Sequence, residues 1–421
     1  MAPGISPQNQ VFHYPNGLTL ISEPMPWCES VSCSILVPCG SNDDPPGRLG
    51  LSNLTCEMAL RGAGQYGNRP LIEAFEDLGV DRGESLDNMH TTYSAATLSE
   101  NLPLILPVMA DIIRRPHFPA DQLDTGKLVI EQEIIAVEDD PPGKLMQELS
   151  RIHLPAPWGF PSYGTLDSLA AITIDEIREH HLRRYQPAGM IASIAGKIDW
   201  QRLVDQIGEL FGDWQPQERP AIIETPSMTR TLHIPYDSAQ THIGIAFDEV
   251  AFRDPDYLLA WGAVGILSGG MSSRLFTEVR EKRGLCYSVS ASYYSLRDRG
   301  GVTCYCGTSA ERAQEALDVL LAELQRLRMG VTEKEVELLK IRAKSQLVMQ
   351  QESTGSRVAS IVRDWYHLGR IRPMSEIQAK IDALDKSAID NFLAQSPERP
   401  LTIATLGPEP LHFKTACSPV Q

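Results

Sequence analysis

Met190-Ile-Ala-Ser-Ile-Ala-Gly196 and Leu401-Thr-Ile-Ala-Thr-Leu-Gly407 are two short apolar runs, each closed by glycine, that lie 211 residues apart. Continuous apolar runs of this length read as buried strands. Each follows a helical pattern that opens on a hydroxyl residue, at Thr173 and at Ser387. The same offset recurs earlier in the chain. Thr97-Leu-Ser-Glu100, after the strand pattern His90 to Thr97, is matched by Thr308-Ser-Ala-Glu311 after the strand pattern Gly301 to Cys306. Each Thr-x-x-Glu reads as a capping box that starts a helix. Elements repeated in the same order at one spacing point to an internal duplication. The fold class that follows is α+β with two similar halves. The polar run Gln215-Pro-Gln-Glu-Arg-Pro-Ala-Ile-Ile-Glu-Thr-Pro226 near the middle is the best linker, so the division expected is 1–214, a linker at 215–228, and 229–421.

Working outward, Val11 to Glu23 carries a Pro-Asn-Gly turn between two strand-like runs, and Val31 to Pro38 is a further strand. A helix reads from Arg69-Pro70 with Leu71, Phe75 and Leu78 on one stripe. Another spans Asp121 to Glu138 and is ended by Asp139-Asp-Pro-Pro-Gly. Its apolar stripe of Ile130, Ile134 and Val137 also contains Glu133. The residues alone fit either an edge position with a snorkelling carboxylate or a functional carboxylate, because a buried Glu is rare unless paired.

At 421 residues the chain exceeds the size of a single hydrophobic core. Its 42% apolar and 22% charged residues are those of an ordinary globular protein, and a formal charge of -16 argues against nucleic acid or anionic membrane as a partner. Met1 to Gln10 lacks the basic-then-apolar pattern of a signal peptide, and the most apolar run, Leu102 to Ile113, is too short to span a bilayer, so a cytoplasmic location is expected. Eight cysteines are present, Cys417 the last of them, and none forms a CxxC pair. Cys304 and Cys306 share one face of a strand and read as buried thiols.

The stretch Gly50-Leu-Ser-Asn-Leu-Thr-Cys-Glu-Met-Ala-Leu-Arg-Gly62 reads as a helix closed by Gly62 and Gly64. Asn53, Cys56, Glu57 and Leu60 fall at i, i+3, i+4 and i+7 and so share a face. Two ligands at i and i+4 with a functional group between them is a geometry suited to gripping a metal. In the other half, Val279-Arg280-Glu-Lys-Arg-Gly-Leu-Cys-Tyr287 places an Arg and a Tyr seven residues apart, with Gly284 breaking the helix and Tyr287 opening a strand to Tyr294. Taken by themselves these are a solvated Arg near a helix C-terminus and a half-buried strand Tyr.

Several motifs occur in order: Pro15-Asn-Gly-Leu18, Gly40-Ser-Asn-Asp-Asp-Pro45, Gly50 to Gly62, Glu131 to Ile134, Arg184-Tyr-Gln-Pro187 and Gly270-Met-Ser-Ser-Arg-Leu-Phe276 through Tyr287. In these the chain resembles the pitrilysin/insulysin family of zinc metallopeptidases, the inverzincins, and within it the mitochondrial processing peptidase subunits and their short bacterial relatives. The resemblance implies two similar halves, each a mainly antiparallel sheet packed with helices in the LuxS/processing-peptidase-like metallopeptidase fold. It also implies an inverted His-x-x-Glu-His motif with a distal glutamate, in which the two histidines and that glutamate hold zinc and the motif glutamate activates water. On this sequence the histidine positions fall on Asn53 and Glu57, the catalytic glutamate on Cys56 and the distal ligand on Glu133; only the last matches.

Asn53, Glu57 and Glu133 suit a hard cation better than zinc, and Cys56 cannot shuttle protons as a carboxylate does, which by itself removes ~10²- to 10⁴-fold in rate. The family's Asn-Ala on the substrate-holding edge strand reads Gly83-Glu84 here. Arg280 and Tyr287, by contrast, match the pair that family members use to hold substrate and developing charge. The resemblance therefore implies a non-catalytic subunit with no metal and no catalytic residue of its own, pairing with an active zinc-bearing homologue around a peptide and supplying Arg280 and Tyr287 in trans. The alternatives are an autonomous zinc metalloendopeptidase with an atypical metal site and a structural or peptide-binding homodimer.

Overall fold

The computed structural model describes residues 9–413. Cys417 and most of the stretch inspected for a signal peptide lie outside them. The chain forms two compact units, one of Met1–Ala136, Phe160–Ile223 and Gln350–Ile371, the other of Val137–Gly159, Glu224–Met349 and Arg372–Gln421. The changeover near Ile223 falls in the polar 215–228 run, but the units are not contiguous: Val137–Gly159 belongs with the second and Gln350–Ile371 with the first.

The first unit is built on a six-stranded sheet. Its strands are β1 (Gln10–His13), β2 (Thr19–Pro24), β3 (Ser30–Val37), β6 (Asp81–Leu86), β7 (Thr91–Leu98) and β8 (Ile191–Gly196), in the order β1-β2-β8-β3-β7-β6. A two-residue hairpin, β4 (Gly62–Ala63) with β5 (Tyr66–Gly67), stands apart. Only β2 and β8 run parallel. The second unit has a five-stranded sheet of β9 (Thr231–Pro235), β10 (Gln240–Glu249), β11 (Cys286–Ser295), β12 (Gly300–Ser309) and β13 (Thr402–Gly407), ordered β11-β12-β10-β13-β9, with only β13 and β9 parallel. Taking β9, β13, β10, β12 and β11 as the counterparts of β2, β8, β3, β7 and β6, the two orders coincide. Even the parallel register agrees, since Thr19 faces Ile191 and Thr231 faces Ile403, a separation of 172 in both. The two halves are one duplicated α+β unit.

Both central runs are buried on both faces, which is why they read as unbroken apolar strands. Alternation assigns each side chain to a layer. Leu20 and Ile35 enter the main core with Leu54 and Met58 of the helix Leu51–Ala59, whereas Ile21, Leu36 and Ile191 face the opposite way, onto Ile361 of the helix Thr354–Leu368. That helix starts at Ser353, whose hydroxyl accepts from the Ser356 N–H, and is tied to the sheet by Arg357, paired with Glu23 at 2.6 Å. In the second unit Ile243 and Ile245 enter the main core, while Ala246, Ala404 and Leu406 pack on Leu145, Leu149 and Ile152 of the helix Pro141–His153. Each fully buried Leu or Ile here contributes about 1.5–3 kcal/mol. Glycine closes both runs for a steric reason. A Cβ at Gly196 would stand 2.5 Å from the Ser30 carbonyl oxygen, and one at Gly407 would stand 2.6 Å from Thr241 Oγ1.

Two expectations are corrected and a third is extended. Thr97 and Thr308 cap no helix: both are strand residues whose hydroxyls donate to backbone carbonyls, of Leu78 at 3.1 Å and Leu285 at 2.6 Å, before the 3-10 turns Ser99–Asn101 and Ala310–Arg312. The repeat is real and its cause is this shared strand-end anchor. The helix near Ser387 is capped by Asp385, which accepts from the Ala388 N–H. Asp139-Asp-Pro-Pro-Gly ends one helix and also starts the next, because Asp140 accepts from the Gly143 N–H with proline in the first turn.

Candidate functional site

The first candidate group sits on the helix Leu51–Ala59, whose start is held by Asp44. That carboxylate accepts from the Gly50 and Ser52 N–H groups at 2.7 and 2.8 Å and from the Ser52 hydroxyl at 2.6 Å. Leu51, Leu54, Thr55 and Met58 face the core, which leaves Asn53 and Glu57 part-exposed on the other side. Asn53 Nδ2 donates to Glu133 Oε2 at 3.1 Å, so two residues separated by 80 positions do meet. Glu57 is taken from just beyond the end of its helix: Arg61 Nη2 and Nε donate to Oε1 at 2.6 and 3.1 Å.

Cys56 turns inward. Its side chain is buried in the same core cluster as Tyr93, whose hydroxyl is 3.0 Å from the Tyr185 hydroxyl. Burial pushes the Cys56 thiol up to about 12, with the nearby Glu84, Glu57 and Glu133 carboxylates adding to the effect. At neutral pH it is therefore a protonated thiol, neither a metal-binding thiolate nor a base. These residues do not fit zinc. An amide stands where a ligand imidazole is needed, the second ligand position is a carboxylate neutralised by Arg61, and the water-activating position is a hidden neutral thiol. Among the described residues no group of three or more His, Cys, Asp or Glu side chains is arranged to hold a metal ion.

The second group belongs to the other unit. Phe276–Glu281 winds as a π-helical turn, a form often found where a side chain must be re-aimed. Gly284, at φ +57°, ends it, and its N–H donates to the Arg280 carbonyl at 2.9 Å. The Arg280 guanidinium lies 4.9 Å from the centre of the Phe276 ring and 5.0 Å from that of Tyr287, a cation between two aromatic faces. Tyr287 is 85% exposed. The neighbouring cations are spent: Lys282 and Arg283 both donate to Glu278 at 2.7 Å. Those hydrogen bonds hold the Glu278 carboxyl down at about 2. Arg280 makes no ion pair among the described residues.

A cleft of about 310 Å³ in the second unit, lined by Pro142, Met146, Ser290, Ser292, Thr303 and Tyr305 among others, contains none of the six candidates. The sequence reading missed Arg61, Tyr93, Tyr185 and Phe276. Arg61 follows Glu57 by four positions and Phe276 precedes Arg280 by four, spacings that make helix neighbours. Tyr93 and Tyr185 come from distant elements and leave no local signal.

Comparison with known proteins places this fold and these positions in a family. Residues 19–156 match the model for insulinase, peptidase family M16, and residues 171–343 match the model described as the peptidase M16 inactive domain. The chain belongs to peptidase family M16. It is 28% identical over 398 residues to an uncharacterized zinc protease, YmxG, of Bacillus subtilis, spanning 93% of this chain and 97% of that one. It is 27% identical over 403 residues to an uncharacterized zinc protease of Mycobacterium tuberculosis, spanning 94% and 92%. Among solved structures, a Pseudomonas fluorescens protein described as a peptidase M16 inactive domain superposes with a TM-score of 0.87 at 20% identity, covering 96% of this chain and 100% of its own. A Helicobacter pylori protease superposes with a TM-score of 0.85 at 20% identity, covering 95% and 99%. These superpositions show the shared fold.

Proposed function

We propose that this chain is the non-catalytic subunit of a heterodimeric M16 peptidase. It pairs with a zinc-bearing homologue, helps to enclose an extended peptide, and supplies Arg280 and Tyr287 in trans. The zinc resides in the partner, and the isolated chain hydrolyses no peptide. The observation that carries this reading is the state of Cys56: the position of the water-activating carboxylate holds a buried thiol pushed up to about 12. The pair of part-buried Arg280 and exposed Tyr287 supports the second half of it, because a cation with no carboxylate partner among the described residues is suited to meet developing negative charge. The cytoplasm is the proposed compartment, in keeping with seven described cysteines that are free thiols.

The test is co-expression with a homologue of the same family that keeps an intact His-x-x-Glu-His motif. Co-purification of the two chains, with peptidase activity that neither shows alone, is the expected result. If the chains remain separate, or if the homologue is fully active without this one, the proposal fails.

A further inference from the structure

A second chemistry is built into the strand that carries Tyr287. Strands β11 and β12 pair antiparallel with Val289 opposite Cys306 and Ser288 opposite Gly307, but the next pair is Cys286 opposite Thr308, so Tyr287 is one residue too many. Side chains alternate between the two faces of a strand. In an unbroken strand Tyr287 would share the face of Val289 and Cys306, and Cys286 would point the other way. The bulge exchanges them, turning Tyr287 outward and bringing Cys286 round to the face of Cys306.

The outcome is a thiol pair of unequal character. Cys306 is fully buried and Cys286 is part-exposed, and both pack into the same hydrophobic cluster on one face of the sheet. The neighbouring Cys306 thiol, helped by the Arg280 guanidinium and opposed by burial, lowers the Cys286 thiol from its ordinary value; the proximity of Cys286, together with burial, raises Cys306. Other cysteines differ. Burial pushes Cys33 and Cys304 up to about 12 and raises Cys39 as well. A thiol that is accessible, easily ionised and beside a second thiol is the arrangement that peroxides oxidise selectively.

We propose that Cys286 and Cys306 are an oxidant-responsive dithiol, in which hydrogen peroxide oxidises Cys286 and Cys306 then closes an intramolecular disulfide. In the first step the Cys286 thiolate attacks the terminal peroxide oxygen. The S–O bond forms, the O–O bond breaks, and hydroxide leaves as water after taking a proton. In the second step the Cys306 sulfur attacks the sulfenic sulfur, the S–S bond forms, the S–O bond breaks, and the departing hydroxide takes the Cys306 proton. Two thiols lose two electrons in all, and one peroxide is reduced to two waters. This chemistry stands independently of the role given to Tyr287 above.

The experiment uses the full chain, purified reduced and then exposed to hydrogen peroxide. Remaining thiols are alkylated and the digested peptides mapped by mass, with cleavage after Tyr305 separating Cys304 from Cys306. The expected product joins the Cys286 peptide to the Cys306 peptide, is lighter by two hydrogen atoms, is opened by dithiothreitol, and forms before any oxidation of the part-exposed Cys28. In Cys306→Ala, Cys286 is instead trapped as a sulfenic acid by dimedone; in Cys286→Ser, Cys306 stays reduced. The wild-type map decides the matter even if a core variant folds poorly. Oxidation of Cys28 ahead of Cys286, a link to Cys304, or Cys286 oxidised with Cys306 still free overturns the proposal.

Discussion

The helix Leu51–Ala59 and the turn Phe276–Glu281 belong to two copies of one duplicated unit, yet they treat their polar groups in opposite ways. On the first, the polar groups are answered inside their own unit: Asn53 by Glu133 and Glu57 by Arg61, with Cys56 buried beside Tyr93. On the second, the acid is neutralised by Lys282 and Arg283 while the cation at Arg280 meets two aromatic rings and, among the described residues, no carboxylate. A group whose hydrogen-bonding capacity is met at home is stable and inert, and a group left unmet is available to a ligand.

Four substitutions would break or sharpen that contrast. The largest effect is expected from Cys56→Glu, which returns a carboxylate to the position where the family has one but buries it without a cation. It should destabilise the fold by about 3–5 kcal/mol, measured by denaturant unfolding. An unchanged midpoint would mean that the site is wetter and more open than the Cys56 packing indicates. Next, Arg280→Ala should lower the turnover of the assembled pair by about 10²- to 10³-fold while both chains still elute together. Steady-state kinetics and size-exclusion chromatography read the two halves of that statement, and an unchanged turnover removes Arg280 from the mechanism.

A smaller effect belongs to Tyr287→Phe. The ring over Arg280 is kept and only the hydroxyl is lost, so turnover should fall by about tenfold, the worth of one hydrogen bond. Stability should stay within about 0.5 kcal/mol, since the side chain is 85% exposed. The smallest is a pH effect on stability. The Glu278 carboxyl is depressed from 4.5 to about 2 by Lys282 and Arg283, so its contribution is fully present above pH 4.5 and is lost as the pH falls towards 2. Glu278→Gln should flatten that limb of a melting-temperature profile and leave its slope above pH 5 unchanged; an undiminished acid limb assigns the loss to other carboxylates.

Much of the fold was legible because duplication writes itself into spacing. The runs ending at Gly196 and Gly407 are strands with the same neighbours, and Thr97 and Thr308 do equivalent work, though as strand-end anchors rather than caps. Less legible were the helices Pro141–His153 and Thr354–Leu368, each of which covers the sheet of the other sequence half. Asp139-Asp-Pro-Pro-Gly carries a stop and a start in the same residues, and local pattern says nothing about which sheet a helix will cover. At the sites, Glu133 reaching Asn53 and Arg280 reaching Tyr287 were readable as positions. The burial of Cys56 against Tyr93 and Tyr185 depends on tertiary packing, and only the structure supplies it.

The central claim is that the unit carrying Asn53, Cys56 and Glu57 holds no zinc. Elemental analysis of the chain purified alone, after dialysis against a small excess of zinc and then against metal-free buffer, tests it most directly. The account predicts well under one zinc per chain and no peptide cleavage. About one tightly retained zinc per chain together with peptide cleavage would contradict it.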